Sequence, residues 1–214
     1  MSDNVLSEAE NQQGRLVETR EPSETTRQSP LKAKMTRNEI LAYLQGAMHD
    51  ASLNKGTRIR FTQKNRGWLV ILQELLAKIG SKSWIYQEGK QRNVYALETV
   101  TKELSFTFQA SNIRGSKCMK AYIRGFFDAE GGIPHTRDRF YIQLVQKNWK
   151  KVEELKRMLE HLGIGSGKIH NPSKKIDPNY WRLFIASADH KKFATEINSL
   201  HPVKRKIFKE RMMI

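Results

Sequence analysis

One pattern in this chain constrains its fold more than any other: it is written twice. Ala42-Tyr43-Leu44-Gln45-Gly46 returns as Ala121-Tyr122-Ile123-Arg124-Gly125, 79 positions on. Gln63-Lys64-Asn65 returns as Gln146-Lys147-Asn148 at a spacing of 83, which then holds to Gly80 and Ser83, partnered by Gly163 and Ser166. A duplication of ~80 residues requires two equivalent units, and neighbouring repeats bury the faces that neither covers alone. The step from 79 to 83 puts four extra residues in the loop and first strand of the second repeat.

Each repeat reads α-β-β-α-β-β-α. Thr36-Arg37-Asn38-Glu39 has the form of a capping box ahead of an apolar run, so order begins there. The expected elements are a helix (37–50; 117–130), an alternating strand (57–63; 138–146) and a second helix (66–79; 149–162). Two further strands (83–88 and 92–98; 167–171 and 180–186) and a last helix complete each unit. Leu69, Leu72, Leu75, Leu76 and Ile79 recur at helical spacing, as do Val152, Leu155, Leu159 and Leu162. Gly80 and Gly163 stand where a C-cap glycine belongs. Trp68, Trp84, Trp149 and Trp181 read as core residues. The fold class is α+β with pseudo-twofold symmetry, divided as a disordered tail (1–34), a first repeat (35–112) and a second (113–214).

Composition narrows the partners. The 214 residues hold 38 Lys+Arg against 22 Asp+Glu, a net charge of +16 and a pI near 10.0. The first 34 residues are rich in Ser, Thr, Gln, Glu and Asn and carry −1, leaving +17 on the remainder. Such a balance points to a polyanion, most simply nucleic acid. A single cysteine, Cys118, excludes an intrachain disulfide and a thiolate zinc site and suggests a reducing, cytoplasmic setting. No apolar run approaches the ~20 residues of a membrane span, and the acidic tail fits neither a transit peptide nor a secretory signal.

The densest motif is Ile123-Arg124-Gly125-Phe126-Phe127-Asp128-Ala129-Glu130-Gly131-Gly132. Gly125 and Ala129 are small and four apart, on a face that a second helix can approach closely, and Ala42 and Gly46 offer the same in the first repeat. Phe126 and Phe127 belong in the core of their own repeat. Glu130 lies at the last turn, where free carbonyls and the negative helix end add to its charge, a combination that favours a divalent cation. Gly163-Ile164-Gly165-Ser166-Gly167-Lys168 looks like a phosphate loop, but it lacks the first glycine and the final Ser/Thr and follows a helix; it reads as a turn.

These residues resemble the signature helix of the LAGLIDADG homing endonucleases, and the two repeats make the chain similar to single-chain, two-motif members over about residues 37–200. The resemblance implies two motif helices packed at the centre and two antiparallel sheets forming a DNA-binding saddle. The first repeat departs from the pattern. With Tyr43 and Gly46 aligned to Tyr122 and Gly125, Glu130 pairs with the inert Ala51; laying Asp50-Ala51-Ser52-Leu53 on the family's motif ending makes Asp50 the acid instead. One residue turns a helix by ~100°, so the alternatives present different side chains. Asp50, the only carboxylate at that helix end, is the favoured acid.

The resemblance implies Mg²⁺, with Mn²⁺ as a substitute, held by Asp50 and Glu130 with Ala51 and Gly131 beside them. It also places Gln63-Lys64 and Gln146-Lys147 next to the metals, the lysines stabilising the developing phosphorane charge or tuning the attacking water. His49 receives no role. Strand alternation turns Ile59 and Phe61 inward and Arg58, Arg60 and Thr62 outward; Phe140, Ile142 and Leu144 face in while Arg139, Tyr141 and Gln143 face out. Arg92, Lys168, His170, Lys174, Lys175 and Arg182 extend this surface, which suits the major groove of an asymmetric target at ~10 bp per repeat. Lys204-Arg205-Lys206, with Lys209 and Arg211, suits nonspecific phosphate contact. The expectation is a monomeric, Mg²⁺-dependent endonuclease that cuts both strands of double-stranded DNA; an intron maturase bound to intron RNA and a non-cleaving DNA-binding regulator are the rivals.

Overall fold

In the computed structural model, residues 35–89, 92–134 and 139–212 are described; the tail expected over 1–34 lies outside them. The capping box forms: Thr36 Oγ1 accepts from the Glu39 amide at 3.3 Å and Glu39 accepts from the Thr36 amide at 2.7 Å. It opens α1 (Arg37–Ala47), which tightens into a 3₁₀ turn (Met48–Asp50) and passes into β1 (Ala51–Asn54). Then come β2 (Arg58–Gln63), α2 (Arg66–Lys78), β3 (Ser83–Gln87) and β4 (Tyr95–Thr99). The second repeat gives α3 (Ser116–Glu130), β5 (Gly131–Gly132), β6 (Gln143–Gln146), α4 (Trp149–His161) and β7 (Trp181–Phe184). The chain closes with α5 (His190–Lys192), a π-helical turn (Phe193–Ile197) and α6 (Pro202–Met212).

Both sheets are antiparallel, in the orders β1-β2-β4-β3 and β5-β6-β7. Between them α1 packs on α3. Glycine permits the approach: a Cβ on Gly46 would lie 2.1 Å from the Tyr122 carbonyl oxygen, and one on Gly125 2.0 Å from that of Tyr43. The two contacts are related by one pseudo-twofold axis. The symmetry reaches the caps, where Asn65 Oδ1 accepts from the Gly67 amide (2.8 Å) and Asn148 Oδ1 from the Lys150 amide (3.0 Å). The second-repeat core is aromatic, with Phe127 stacked on Phe208 at 5.5 Å and edge-on to Phe193 at 5.3 Å.

Several elements depart from the sequence reading. The last helix of the first repeat is only a 3₁₀ turn (Ala110–Asn112). Its segment buries Leu104, Ala110 and Ile113, which follow no helical period, and is tied down by Gln45, whose amide bridges the Ser105 carbonyl (2.6 Å) and amide (3.1 Å). The strand expected at 167–171 shrinks to isolated bridges, Ser166 to Ile185 and His170 to Arg182, beside Gly165 and Gly167, which weaken a strand. The strand expected over 138–146 keeps its ladder only from Gln143, residue 138 lying outside the described residues. Its alternation persists, with Ile142 and Leu144 buried and Tyr141 exposed. Of the four tryptophans only Trp68 is fully buried; Trp84 and Trp149 are 37% and 42% exposed, because each sits on the outer side of its element.

Candidate active site and nucleic-acid interface

The two registers left open for the first motif both occur, in different parts of one helix. Gly46 and Gly125 are equivalent at the crossing. Beyond it Ala51 pairs with Phe61 and Gly131 with Leu144, and Phe61 and Leu144 are themselves equivalent residues of β2 and β6. Asp50 therefore stands where Glu130 stands, although one residue fewer separates it from the contact glycine. The 3₁₀ turn absorbs the difference. Five α-helical steps from Gly125 to Glu130 rise ~7.5 Å; one α step and three 3₁₀ steps from Gly46 to Asp50 also rise ~7.5 Å.

Both carboxylates leave parallel exits at the helix interface, half-buried, and each feels it. Burial raises Asp50, opposed by the Gln63 amide, which donates to its Oδ2 at 2.7 Å, and by Lys204. Burial and the neighbouring Asp50 charge push Glu130 from 4.5 to about 7, again opposed by Lys204. Burial disfavours the charged form of Glu130 first, and the like charge of Asp50 adds to it. Gln146 does not mirror Gln63: its Oε1 accepts from the Lys147 amide (2.7 Å) and its Nε2 lies 3.4 Å from His49 Nδ1. Lys64 and Lys147, next in sequence to these two glutamines, are exposed.

Lys204 corrects the sequence reading. It does not join an outward basic run; its Nζ donates to the Phe127 and Asp128 carbonyls (2.5 and 2.9 Å) in the last turn of α3, 4.9 Å from the Phe127 ring centroid. Burial lowers it from 10.5 to about 8, while Asp128, Asp50 and Glu130 hold it up. Nothing local marked this lysine, because α6 brings it to α3 from 76 residues away.

His49, left without a role, is also structural. It is equivalent to Asp128, and the pair anchors reciprocal tyrosines across the axis. Tyr122 Oη lies 2.8 Å from His49 Nε2, and Tyr43 Oη donates to Asp128 Oδ2 at 2.6 Å. Asp128 also accepts from Ser199 Oγ (2.5 Å) and from the amides of Leu200 (2.9 Å) and His201 (3.3 Å). Burial depresses His49 to about 3, so it is neutral at physiological pH.

The side-chain donors at the two helix ends, the Asp50 and Glu130 carboxylates, are all oxygen. That chemistry suits a hard divalent cation such as Mg²⁺ or Mn²⁺ and not a thiophilic one. Among the described residues no cluster of three or more His, Cys, Asp or Glu forms a self-sufficient metal cage. The acids fit an ion that draws its remaining ligands from water and a bound phosphate.

The outer sheet faces carry the expected side chains. In the first repeat Arg58 and Arg60 lie on the open face with Trp84 and Tyr86, Arg58 stacked 5.5 Å over Trp84, and Arg92 is exposed at the β3–β4 turn. In the second, Gln143 is opposite Phe184, His170 stacks on Phe184 at 5.5 Å, and Tyr141 meets it edge-on at 5.7 Å. Arg182 stacks over Tyr180 at 4.8 Å, and Arg139, Lys168, Lys174 and Lys175 are exposed around this sheet. Glu98, at the centre of the first face, was missed because an acid is not what a DNA surface leads one to seek.

Two antiparallel sheets on paired motif helices, with one acid leaving each helix, define the LAGLIDADG class, and the comparisons agree. The LAGLIDADG-like domain family matches residues 39–111 and again 117–198, and the chain belongs to it, with two repeats. The homing endonuclease I-DmoI, in complex with DNA and Mn, is similar at 25% identity and a TM-score of 0.58, over 76% of this chain and 98% of that one. I-DmoI with DNA and Ca gives 22% and 0.60, over 81% and 98%. Full-length DUF199/WhiA from Thermatoga maritima shares the fold at 16% identity and a TM-score of 0.62, over 85% of this chain and 61% of that one. No curated protein sequence matches the chain. Among the described residues no helix is long and apolar enough to cross a membrane.

Proposed function

We propose that this chain is a site-specific endonuclease that hydrolyses both strands of a long, asymmetric double-stranded DNA target, one strand per acid, with Mg²⁺ or Mn²⁺ as cofactor. The observation that carries the reading is the pair Asp50 and Glu130 on adjacent helix ends, close enough that burial and the Asp50 charge together push Glu130 to about 7. Similarity to I-DmoI, itself seen with DNA and Mn, supports it.

Asp50 and Glu130, with the Ala51 and Gly131 main chain, would hold the ion, which when bound lowers the pKa of water and offsets charge on the leaving oxygen. Gln63 orients Asp50 through its amide. Lys64 and Lys147, exposed at the strand ends, supply positive charge to the phosphate oxygens as the phosphorane forms. Lys204 fixes the exit of α3 and so the aim of Glu130. The sheet faces carry the duplex, placing one scissile phosphate over each acid.

Cleavage of a randomised duplex library in Mg²⁺, with Glu130→Gln and Asp50→Asn alongside, tests this reading. Double-strand ends that disappear in both variants are expected. Nicks that survive Asp50→Asn alone would mean one live acid, and binding without cutting would leave a DNA-binding protein on this scaffold.

A further inference from the structure

On the outer face of the first sheet, one acid gathers a residue from every strand. Glu98 of β4 accepts from Asn54 Nδ2 on β1 (2.6 Å), Arg58 Nη1 on β2 (3.2 Å) and Tyr86 Oη on β3 (2.8 Å). Arg60 Nε lies 4.0 Å away, and Arg60 Nη2 is 2.9 Å from Glu88. The Glu98 side chain is only 2% exposed although it lies on an outer face, because these four neighbours cover it. Two arginines and two glutamates cancel, so the centre of this face is neutral on a body of net charge +17. Ladder pairing makes Phe184 its equivalent in the second repeat, since Arg60 pairs with Glu98 as Gln143 pairs with Phe184. There the centre is an aromatic cluster with Tyr141 and His170.

Resting on the DNA reading above, we propose that Glu98 is a specificity-determining residue: it presets Arg58, beside an Arg60 that Glu88 holds, to read guanine in the half of the target under the first repeat. An unrestrained arginine on a basic surface binds any phosphate by charge alone, and that attraction carries no sequence information. An arginine clasped on one edge by a carboxylate keeps its charge, but the pair is neutral and the side chain has lost its freedom. What remains is a fixed fork of donors, the geometry that guanine O6 and N7 match. Arg58 is placed for this, 41% exposed, held at Nη1 and stacked on Trp84. The second repeat, with Phe184 and Tyr141 at its centre, offers apolar contact of the kind a thymine methyl fills. The two halves of the target then differ in chemistry as well as in sequence.

Selection of bound duplexes from a random library by the wild-type protein and by Glu98→Gln, Tyr86→Phe and Phe184→Ala, with melting temperatures, tests the proposal. The wild type should enrich guanine more strongly in one half than in the other. Glu98→Gln should flatten that half, leave the other readable and raise affinity for random DNA several-fold; Phe184→Ala should flatten the opposite half. Tyr86→Phe, which keeps the acid and the ring and removes one donor, should blunt the guanine preference part-way, so the idea stays testable even where Glu98→Gln fails to fold. Guanine enriched equally in both halves, or a folded Glu98→Gln protein with unchanged preference, overturns the proposal alone. Failure of the wild type to select any duplex overturns the DNA reading beneath it.

Discussion

Glu130 is a carboxylate held where ionising it is costly. Its carboxyl is pushed from 4.5 to about 7 by burial and by Asp50, so the folded state binds its proton more tightly than the unfolded chain does. The sign follows: this group costs no stability below pH 4.5, and the cost grows as pH rises to about 7 and then levels off. Glu130→Gln removes the ionisation, so in metal-free buffer it should melt higher than wild type at pH 8 and at a similar temperature at pH 5. Equal melting at pH 8 would show the carboxyl to be already well compensated. Lys204 is the opposite case, a cation whose ammonium satisfies two carbonyls at a helix end. Lys204→Met leaves those carbonyls without their donor and should cost about 1–3 kcal/mol in urea unfolding. It should also move the Glu130 midpoint above 7, since a cation that holds it down is gone.

At the scale of elements, the α1–α3 crossing is where the fold has least slack. A methyl on Gly125 would enter the Tyr43 carbonyl, and one on Gly46 the Tyr122 carbonyl. Gly125→Ala should therefore cost about 3 kcal/mol or more, the overpacking range, against about 1–2 kcal/mol for Gly80→Ser, where there is room for a side chain but the backbone is left-handed at φ 80°. The difference would be read from denaturant midpoints. The crossing also shows what was legible beforehand. Tyr43, Gly46, Tyr122 and Gly125 were visible as a repeated pentapeptide, and the capping residues Thr36, Asn65 and Asn148 announced their helices. The exit from α1 was not legible, because whether Met48–Asp50 continues as α-helix or tightens to 3₁₀ depends on where β1 must join β2. The last helix of the first repeat failed for a related reason: Gln45 ties Ser105 down, and a tertiary clamp overrides local preference.

Over the whole molecule, charge and symmetry act at different ranges. The +17 carried by residues 35–214 would attract a duplex at long range, and that attraction should collapse with salt. Neutralising ~6 phosphates would cost about 10³ in affinity between 50 and 200 mM salt. A titration of random duplex against salt concentration reads this slope, and a nearly flat response would mean that the basic surface is not a phosphate surface. Symmetry brings the two acids together; its local breaking, Glu98 in one repeat and Phe184 in the other, gives the two halves separate characters. Lys204 and Glu98 escaped the sequence because each acts through partners on other elements, whereas Asp50 and Glu130 were readable from the ends of their own helices.

On the reading proposed above Asp50 and Glu130 together form one cation site, and calorimetric titration of the DNA-free protein with Mn²⁺ at pH 6 and pH 8 tests that pairing. Because Glu130 must lose a proton held to about 7, binding should tighten several-fold or more from pH 6 to pH 8, with proton release, and should weaken in both Glu130→Gln and Asp50→Asn. Mn²⁺ bound with equal affinity by wild type and by both variants, or with no dependence on pH, would contradict it.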